Sequence, residues 1–499
     1  MDQDKDKVFV YPLIDPPEKT DGVHSFTMEN KINTRTQWKQ WMACISATLS
    51  MVAVGTVYGW TTTSLSRLMD DKDAPVTINK DQSSWIVSLT VIGAMIGPFL
   101  GAWMADVFGR KRSLLISSLF YIVGWIIVIF ATNVASLYVA RIILGMGVGI
   151  SYTTNPMYVS EVADMNIRGA LGTLIALNVF TGSLFTCSIA PWISIQLLNK
   201  ILIIIPVIFV ATFIWFPESP YFLAVKGRHD EAIKTIAFFK GITDKEEARE
   251  ELDSILSHIN ETTDDSQSWK EKLIQLTQPN NRQALVIVIV LIGAQQLSGS
   301  FSTIQYLGTL FKEANIGIDS DIATIIVLAV GLVSSTLSTM TVEGAGRRPL
   351  LMISSLGSAF TLLILGIYLL LQTHGIDVSV VNLLPVFDVI LFQVAYPFGL
   401  GTLPNTLIGE LFPSNVKGIA GATVTISDGI LGFAVSKLYQ VIGDALGTHS
   451  VYFFFSGSCV LAFVFVLICI PETKRRTFNE IQDLLKNNRL QCGRRRSTV

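Results

Sequence analysis

The stretch DVFGRKR at residues 106–112 returns as EGAGRRP at residues 343–349. Both stretches place an acidic residue, a glycine and two adjacent basic residues directly after a long apolar segment. Basic residues collect where a membrane-spanning chain leaves the bilayer on the cytosolic side. Because this pattern occurs twice, it predicts a chain that is built from two repeated halves.

Two further pairs of motifs follow in the same order. The tetrapeptide PESP at 217–220 corresponds to PETK at 471–474. An acid and a base seven residues apart also recur, as Glu161 with Arg168 and as Glu410 with Lys417. Halves repeated in parallel orientation generally hold a solute between them near the middle of the bilayer. The three matched motifs therefore predict the architecture of a transporter.

The composition is that of a membrane protein. Of 499 residues, 50% are hydrophobic and only 15% are charged, whereas a soluble protein carries roughly 25% charged residues. The net charge of −2 gives no indication of a nucleic-acid partner. The five cysteines lack a CxxC spacing, so we expect neither a disulfide framework nor a metal site. The first forty residues are polar, and we expect the first apolar segment to act as an internal signal.

Twelve apolar segments have the length of about 20 residues that crosses a bilayer as a helix. We therefore predict an all-α integral membrane protein with six transmembrane helices in each half. The predicted spans are 42–66, 84–105, 113–132, 138–157, 169–190, 199–216, 283–311, 321–342, 349–371, 380–407, 418–441 and 449–470. The predicted domains are an N-terminal tail (1–41), a first half (42–220), a helical linker (221–281), a second half (282–471) and a C-terminal tail (472–499).

Basic residues predict which end of the helix bundle faces the cytosol. The even number of spans puts both termini at one end, and the C-terminal tail alone carries eight Lys and Arg residues. We therefore expect a cell-membrane protein with both termini in the cytosol. Charged residues of both signs at this end either form a gate between the halves or are topology signals and surface ion pairs, each worth ~0–1 kcal/mol. The residues of the predicted gate are Asp106, Arg110, Lys111, Glu161, Arg168, Glu343, Arg347, Arg348, Glu410 and Lys417.

The linker sequence TDKEEAREELDSILSHI predicts an amphipathic cytosolic helix, opened by a capping box of Thr243 and Glu246. Its apolar stripe consists of Ala248, Leu252, Ile255 and Ile259.

Two features of the span at 138–157 concern function. Arg141 is an intramembrane cation, which makes it a functional candidate; alternatively it lies near the helix end with its charge reaching outward. The glycines of GMGVG at 145–149 lack the context of a phosphate loop. We interpret them as small residues that allow close helix packing.

The stretch IGAQQLSGSFSTIQY at 292–306 places two adjacent amides in an apolar segment. On a continuous helix, Gln295 would share one face with Ser298, Ser302 and Tyr306, opposite an apolar face. This arrangement indicates a helix with one side toward water or a solute.

Seven strings in order resemble the sugar porter family of the major facilitator superfamily, from about residue 45 to 485. They are DVFGRK, YVSEVADMNIRG, PESPYFL, QQLSG, VEGAGRRPL, GELFP and PETKRRTFNEI. GW at 59–60 followed by TTTSL, with ELFPSNVKGIA later, looks most like the insect facilitated trehalose transporter group. The resemblance implies the superfamily fold and transport of a sugar by alternating access.

The resemblance also implies a binding site, which this chain alters. Gln295 and Gln296 match the paired amides that face the central cavity and hydrogen-bond sugar hydroxyls in this family. Phe301 replaces the family's usual Asn, Asn405 stands where the tenth-span aromatic is common, and Asp428 replaces an Asn. We expect these five residues to contact the solute, with trehalose first and a hexose second.

Facilitated diffusion is favoured over proton coupling. Proton-coupled relatives usually carry an Asp in the first span, where this chain has Thr61, while Asp428 and Asp388 remain as candidate proton sites. A proton-coupled symporter and a non-transporting sugar sensor are the alternatives. We expect no enzyme activity, no cofactor and no metal. The expected partners are a sugar and the lipid bilayer, with a monomer sufficient for function.

Overall fold

The computed structural model describes residues 37–70, 76–263, 274–412, 414–470 and 472. Helices are the regular elements within these ranges. Those of the first half are α1 (Trp38–Asp70), α2 (Lys80–Val107), α3 (Arg110–Ile129), α4 (Val134–Val162), α5 (Met165–Ile189), α6 (Ile195–Leu202) and α7 (Ile204–Phe213). Those of the linker are α8 (Pro220–Val225), α9 (His229–Lys240) and α10 (Lys245–Thr263). Those of the second half are α11 (Pro279–Leu297), α12 (Ser300–Gln305), α13 (Leu307–Glu313), α14 (Ser320–Ala345), α15 (Arg347–Thr373), α16 (Leu384–Ala395), α17 (Leu403–Leu411), α18 (Ser414–Leu446) and α19 (Thr448–Cys469).

Eleven helical segments of the described residues are long and apolar enough to cross a membrane. The predicted continuous span at 380–407 is wrong, because it consists of the short helices α16 and α17 with a turn at 396–402 between them. Pro397 lies within this turn and Pro404 lies in the first turn of α17, and proline interrupts the helical hydrogen-bond ladder. The hydroxyl of Ser354 accepts from the N–H of Leu400 and donates to the carbonyl of Tyr396, so the freed backbone groups are satisfied inside the protein.

The predicted helix at 283–311 is also interrupted. α11 ends at Leu297, and Gly299 adopts a left-handed conformation with φ +70° before α12 starts. A Cβ atom at Gly299 would lie 2.1 Å from the ring of Phe455 in α19, so both backbone conformation and packing require glycine. The continuous polar face expected over 292–306 is therefore broken after Ser298.

Close packing by glycine is confirmed between α2 and α4. A Cβ atom at Gly145 would lie 2.2 Å from the carbonyl oxygen of Thr90, and one at Gly93 would lie 2.2 Å from that of Ile142. Small residues at these positions allow the two backbones to approach, as is common between helices in membranes. Tyr152 follows about two helical turns beyond Gly145 in α4 and lies at the interface between the halves.

Helix ends differ from the expected bounds at two places. α1 begins at Trp38, inside the predicted tail, and the side chain of Gln40 links it to Asp164 with an Nε2–Oδ2 distance of 3.0 Å. α10 is capped by Asp244, whose carboxylate accepts the N–H of Glu246 at 3.0 Å, so the predicted cap at Thr243 is wrong by one residue. The apolar stripe of α10 is confirmed, because it packs against α8 and α9 in one cluster.

Candidate functional site

A cavity of about 630 Å³ lies between the two halves. Its volume falls within the range of about 300–1,000 Å³ that is typical of small-molecule sites. Four of the five residues predicted to contact the solute line it, namely Gln296, Phe301, Asn405 and Asp428. From the first half, α1, α2 and α4 contribute further lining residues, among them Tyr58, Met95 and Tyr152.

The two predicted amides have different partners. Gln296 donates from Nε2 to the carboxylate of Asp428 at 2.6 Å, which joins α11 to α18 at the cavity wall. Gln295 donates from Nε2 to the carbonyl oxygen of Gly401 at 3.0 Å, in the turn between α16 and α17. Gln295 therefore satisfies a backbone carbonyl group where the tenth span is broken, and Gln296 is the amide that lines the cavity.

Aromatic rings form a further part of the lining. Phe301 and Tyr58 meet edge to face, with ring centroids 5.6 Å apart across the two halves. Tyr152 from α4 lines the same cavity. Aromatic rings supply apolar faces for the C–H surfaces of a solute while tyrosine hydroxyls keep a polar handle. The sequence suggested Phe301 as a departure from the family pattern but did not single out Tyr58 or Tyr152.

A close contact between the halves explains why position 429 is a glycine. A Cβ atom at Gly429 in α18 would lie 2.2 Å from the side chain of Met95 in α2. The glycine thus gives Met95 the space that a side chain would fill, directly beside Asp428.

Arg141 lies inside the first half, with 1% of its surface exposed. Its guanidinium donates to the carbonyl oxygens of Val57 at 3.2 Å and Ile86 at 3.3 Å, and to the hydroxyl of Thr61. It also lies 5.2 Å from the ring of Trp60. The alternative of a charge that reaches outward is therefore wrong, because these contacts hold the guanidinium between α1, α2 and α4.

The charged residues of the first half at the predicted cytosolic end, called here the basic end, pair with one another. Arg110 binds Glu161 with an Nη2–Oε1 distance of 2.9 Å and lies 3.9 Å from Asp106. The N–H of Lys111 donates to the carboxylate of Glu218 at 2.8 Å, and its Nζ donates to the carbonyl of Ile214. Separately, the guanidinium of Arg168 donates to the carbonyl of Ala163.

The second half repeats this arrangement. The N–H groups of Arg347 and Arg348 donate to the carboxylate of Glu472 at 3.0 and 3.1 Å. The guanidinium of Arg348 also donates to the carbonyl of Leu467 near the end of α19. Glu218 and Glu472, from PESP and PETK, thus cap the helices α3 and α15 that follow the two glycine–basic motifs. The side chains of Glu343, Glu410 and Lys417 lie outside the described part of the chain.

Side chains join the two halves at the end opposite the basic end. Lys437 in α18 reaches α2, where its Nζ lies 2.7 Å from Asp81 Oδ1, 2.8 Å from Ser84 Oγ and 4.4 Å from the centroid of the Trp85 ring. Thr62 in α1 donates to the carbonyl of Ile304 in α12 at 3.1 Å.

A second cation joins the halves in the other direction. Lys80 of the first half lies 3.9 Å from Glu313 and 3.8 Å from Asp444 of the second. This end is therefore closed by direct contacts, while the lining of the cavity extends toward the basic end as far as Pro98 and Asn405. The sequence showed these residues as scattered charges and gave no sign that they meet.

Comparison with known proteins shows the family of this chain. The family model described as "Sugar (and other) transporter" matches residues 35–485. The chain belongs to the sugar (and other) transporter family. It is a multi-pass membrane protein, and membership of a transporter family marks it as a transporter rather than an enzyme.

Among its relatives are two insect proteins named facilitated trehalose transporter Tret1. The protein from Apis mellifera ligustica is 29% identical over 471 residues, which cover 94% of this chain and 93% of the relative. That from Culex quinquefasciatus is 29% identical over 462 residues, which cover 92% and 86%. The predicted resemblance is confirmed.

Solved structures of the xylose transporter XylE from E. coli share the fold. The partially occluded inward open conformation has a TM-score of 0.71 at 22% identity, covering 88% of this chain and 99% of that chain. The inward open conformation has a TM-score of 0.69 at 22% identity, covering 91% and 99%. The predicted major facilitator fold is confirmed.

Proposed function

We propose that this sugar transporter works by facilitated diffusion and that its solute is trehalose or a hexose. The observation that carries the proposal is the cavity between the halves, which is lined by the hydrogen-bonded pair of Gln296 and Asp428 and by the rings of Tyr58 and Phe301. An amide donates and accepts, a carboxylate accepts, and a sugar offers both kinds of group. The names of the two insect relatives support trehalose as the first candidate.

The surroundings of Arg141 support facilitated diffusion. Its guanidinium contacts the hydroxyl of Thr61 and two backbone carbonyls, and none of these groups exchanges a proton near neutral pH. Proton-coupled members of the resembled family usually carry an acid at the position of Thr61. With a hydroxyl there instead, the site beside Arg141 has no carboxylate to load and release a proton.

We further propose that the basic end is cytosolic and that the protein lies in the cell membrane with both termini inside. In that orientation, the closed end with Lys437 and Lys80 is extracellular. The cavity then extends toward the cytosol. The charged residues of the basic end, such as Arg110, would then contact the other half when the outer end opens. One chain suffices in this proposal, because residues of both of its own halves line the cavity.

Uptake into liposomes that contain the purified protein tests this function. Labelled trehalose and glucose should equilibrate across the membrane without accumulating, and a protonophore should leave the rate unchanged. Empty liposomes and liposomes with Gln296→Ala protein serve as controls. Accumulation above the external concentration that collapses with the proton gradient would overturn facilitated diffusion.

A further inference from the structure

A single carboxylate gives the cavity its charge. Asp428 is the one charged side chain among the described residues that line it. A carboxylate offers about four acceptor positions, and the bond from Gln296 occupies one of them. The described salt bridges do not include Asp428. The carboxyl group of Asp428 thus faces the space between the two halves.

The two cations on neighbouring parts of the bundle are engaged elsewhere. Arg141 is held by Val57, Ile86 and Thr61 within the first half. Lys437, on the same helix as Asp428, binds Asp81 at the closed end. Neither side chain lines the cavity, so among the described residues the partner of the Asp428 carboxylate is the amide of Gln296 and not a positively charged group.

The rest of the lining suits a positive charge. Tyr58, Tyr152 and Phe301 present aromatic rings to the same cavity, and ring faces attract cations. An intramembrane charge is costly to enclose unless it is paired, so closure of the halves around Asp428 is easiest with a cationic solute.

We propose that the cavity selects a sugar that carries a protonated amine over the neutral sugar of the same size. Asp428 is the countercharge for the ammonium group, Gln296 orients the carboxylate, and the aromatic rings cover the sugar. The inference rests on the proposed function, because it specifies the class of sugar that the same cavity carries. Neutral sugars remain substrates, bound through hydroxyl groups and without the charge-assisted bond.

The test compares three labelled sugars with the same pyranose ring in liposomes that contain the full chain. They are 2-amino-2-deoxyglucose, its neutral N-acetyl form and glucose. At about pH 6.5 the amine is mostly protonated, since comparable amino groups titrate near 8. The expected kcat/KM for the amino sugar exceeds that for glucose by roughly ten- to a hundredfold, the worth of a hydrogen bond to a charged group.

Variants assign the preference to the carboxylate. Asp428→Asn should bring the ratio of kcat/KM for the amino sugar to kcat/KM for glucose close to one, whatever its effect on the glucose rate itself. Asp428→Glu should keep the preference. Asp388→Asn removes another transmembrane acid, one that is buried in α16 and does not line the cavity, and should keep the wild-type ratio. A single symmetric peak in size-exclusion chromatography selects the folded preparations to be compared.

The outcomes separate this inference from the proposed function. Glucose uptake with no preference for the amino sugar, or a preference that survives Asp428→Asn, overturns the inference and leaves sugar transport intact. Failure of folded wild-type protein to carry any of the three sugars or trehalose overturns both.

Discussion

The closed end of the bundle depends on Lys437, and replacing this lysine with glutamine should open it more often. The side chain crosses from α18 to α2 and contacts Asp81, Ser84 and Trp85. Glutamine keeps most of the length of the side chain but removes the charge. Since these contacts exist in the described closed arrangement, their loss should shift the population toward the state that is open at this end.

The size of the shift follows from exposure. Asp81 is 70% exposed and Lys437 is 21% exposed, so water screens the ion pair and its worth is about 0.2–1 kcal/mol. The contact with Trp85, at 4.4 Å from the ring centroid, adds about 0.5–1 kcal/mol. Together they give about 0.7–2 kcal/mol, a change of roughly 3–30-fold in the ratio of the two states.

Thiol labelling measures this ratio directly. In a background without native cysteines, Thr425→Cys places a thiol in the cavity, and an impermeant maleimide is added from the closed side. Lys437→Gln should raise the labelling rate by the factor above. Lys200→Gln, which removes an exposed charge from α6 at the same end, should leave it unchanged. An equal rate with and without Lys437, or an equal rise with Lys200→Gln, would refute the role of Lys437.

Three further predictions concern binding, stability and topology. Gln296→Ala should lower sugar uptake by roughly tenfold or more with near-normal expression, because one or two hydrogen bonds of ~1 kcal/mol each are lost; unchanged uptake would remove Gln296 from the site. Glu472→Ala should lower the Tm in detergent, because the start of α15 loses a cap worth about 0.5–2 kcal/mol. Glu250→Ala, at an exposed position of α10, should leave the Tm unchanged, and equal Tm values for both variants would contradict the capping role. Glycosidase treatment should leave gel mobility unchanged, because the sequon at Asn260 lies in the linker that we place in the cytosol; a mass shift at Asn260 would reverse the orientation.

Apolar segments and repeated motifs predicted the fold because they are local properties of the chain. The breaks at Gly299 and at 396–402 escaped the same reasoning, since both lie within apolar segments of membrane-spanning length. Hydropathy measures whether a segment tolerates lipid, but a broken helix inside a bundle satisfies its backbone through neighbours such as Gln295 and Ser354. Glycine and proline in these segments were the available signal.

Partners of charged residues were beyond sequence reasoning for a different reason. The alternatives for Arg141 depended on whether its helix position faces lipid or protein, which its spacing alone does not show. Lys437 had no identified partner in the sequence, and its contact Asp81 lies more than 300 positions away in the other half. Separations of this size carry no periodicity, so the closed end became visible with the tertiary structure.

The repeated and the unrepeated residues take different parts in the molecule. Glu218 and Glu472 occur at matched positions, and each stabilises the start of a helix within its own half. The contacts of Lys437, which cross between the halves, and the pair of Gln296 and Asp428 in the cavity lie outside the three repeated motifs. Alternating access requires two halves that keep their internal structure while the surfaces between them change partners. The repeated motifs thus stabilise each half as a unit, whereas residues outside them line the cavity and join the halves at the closed end.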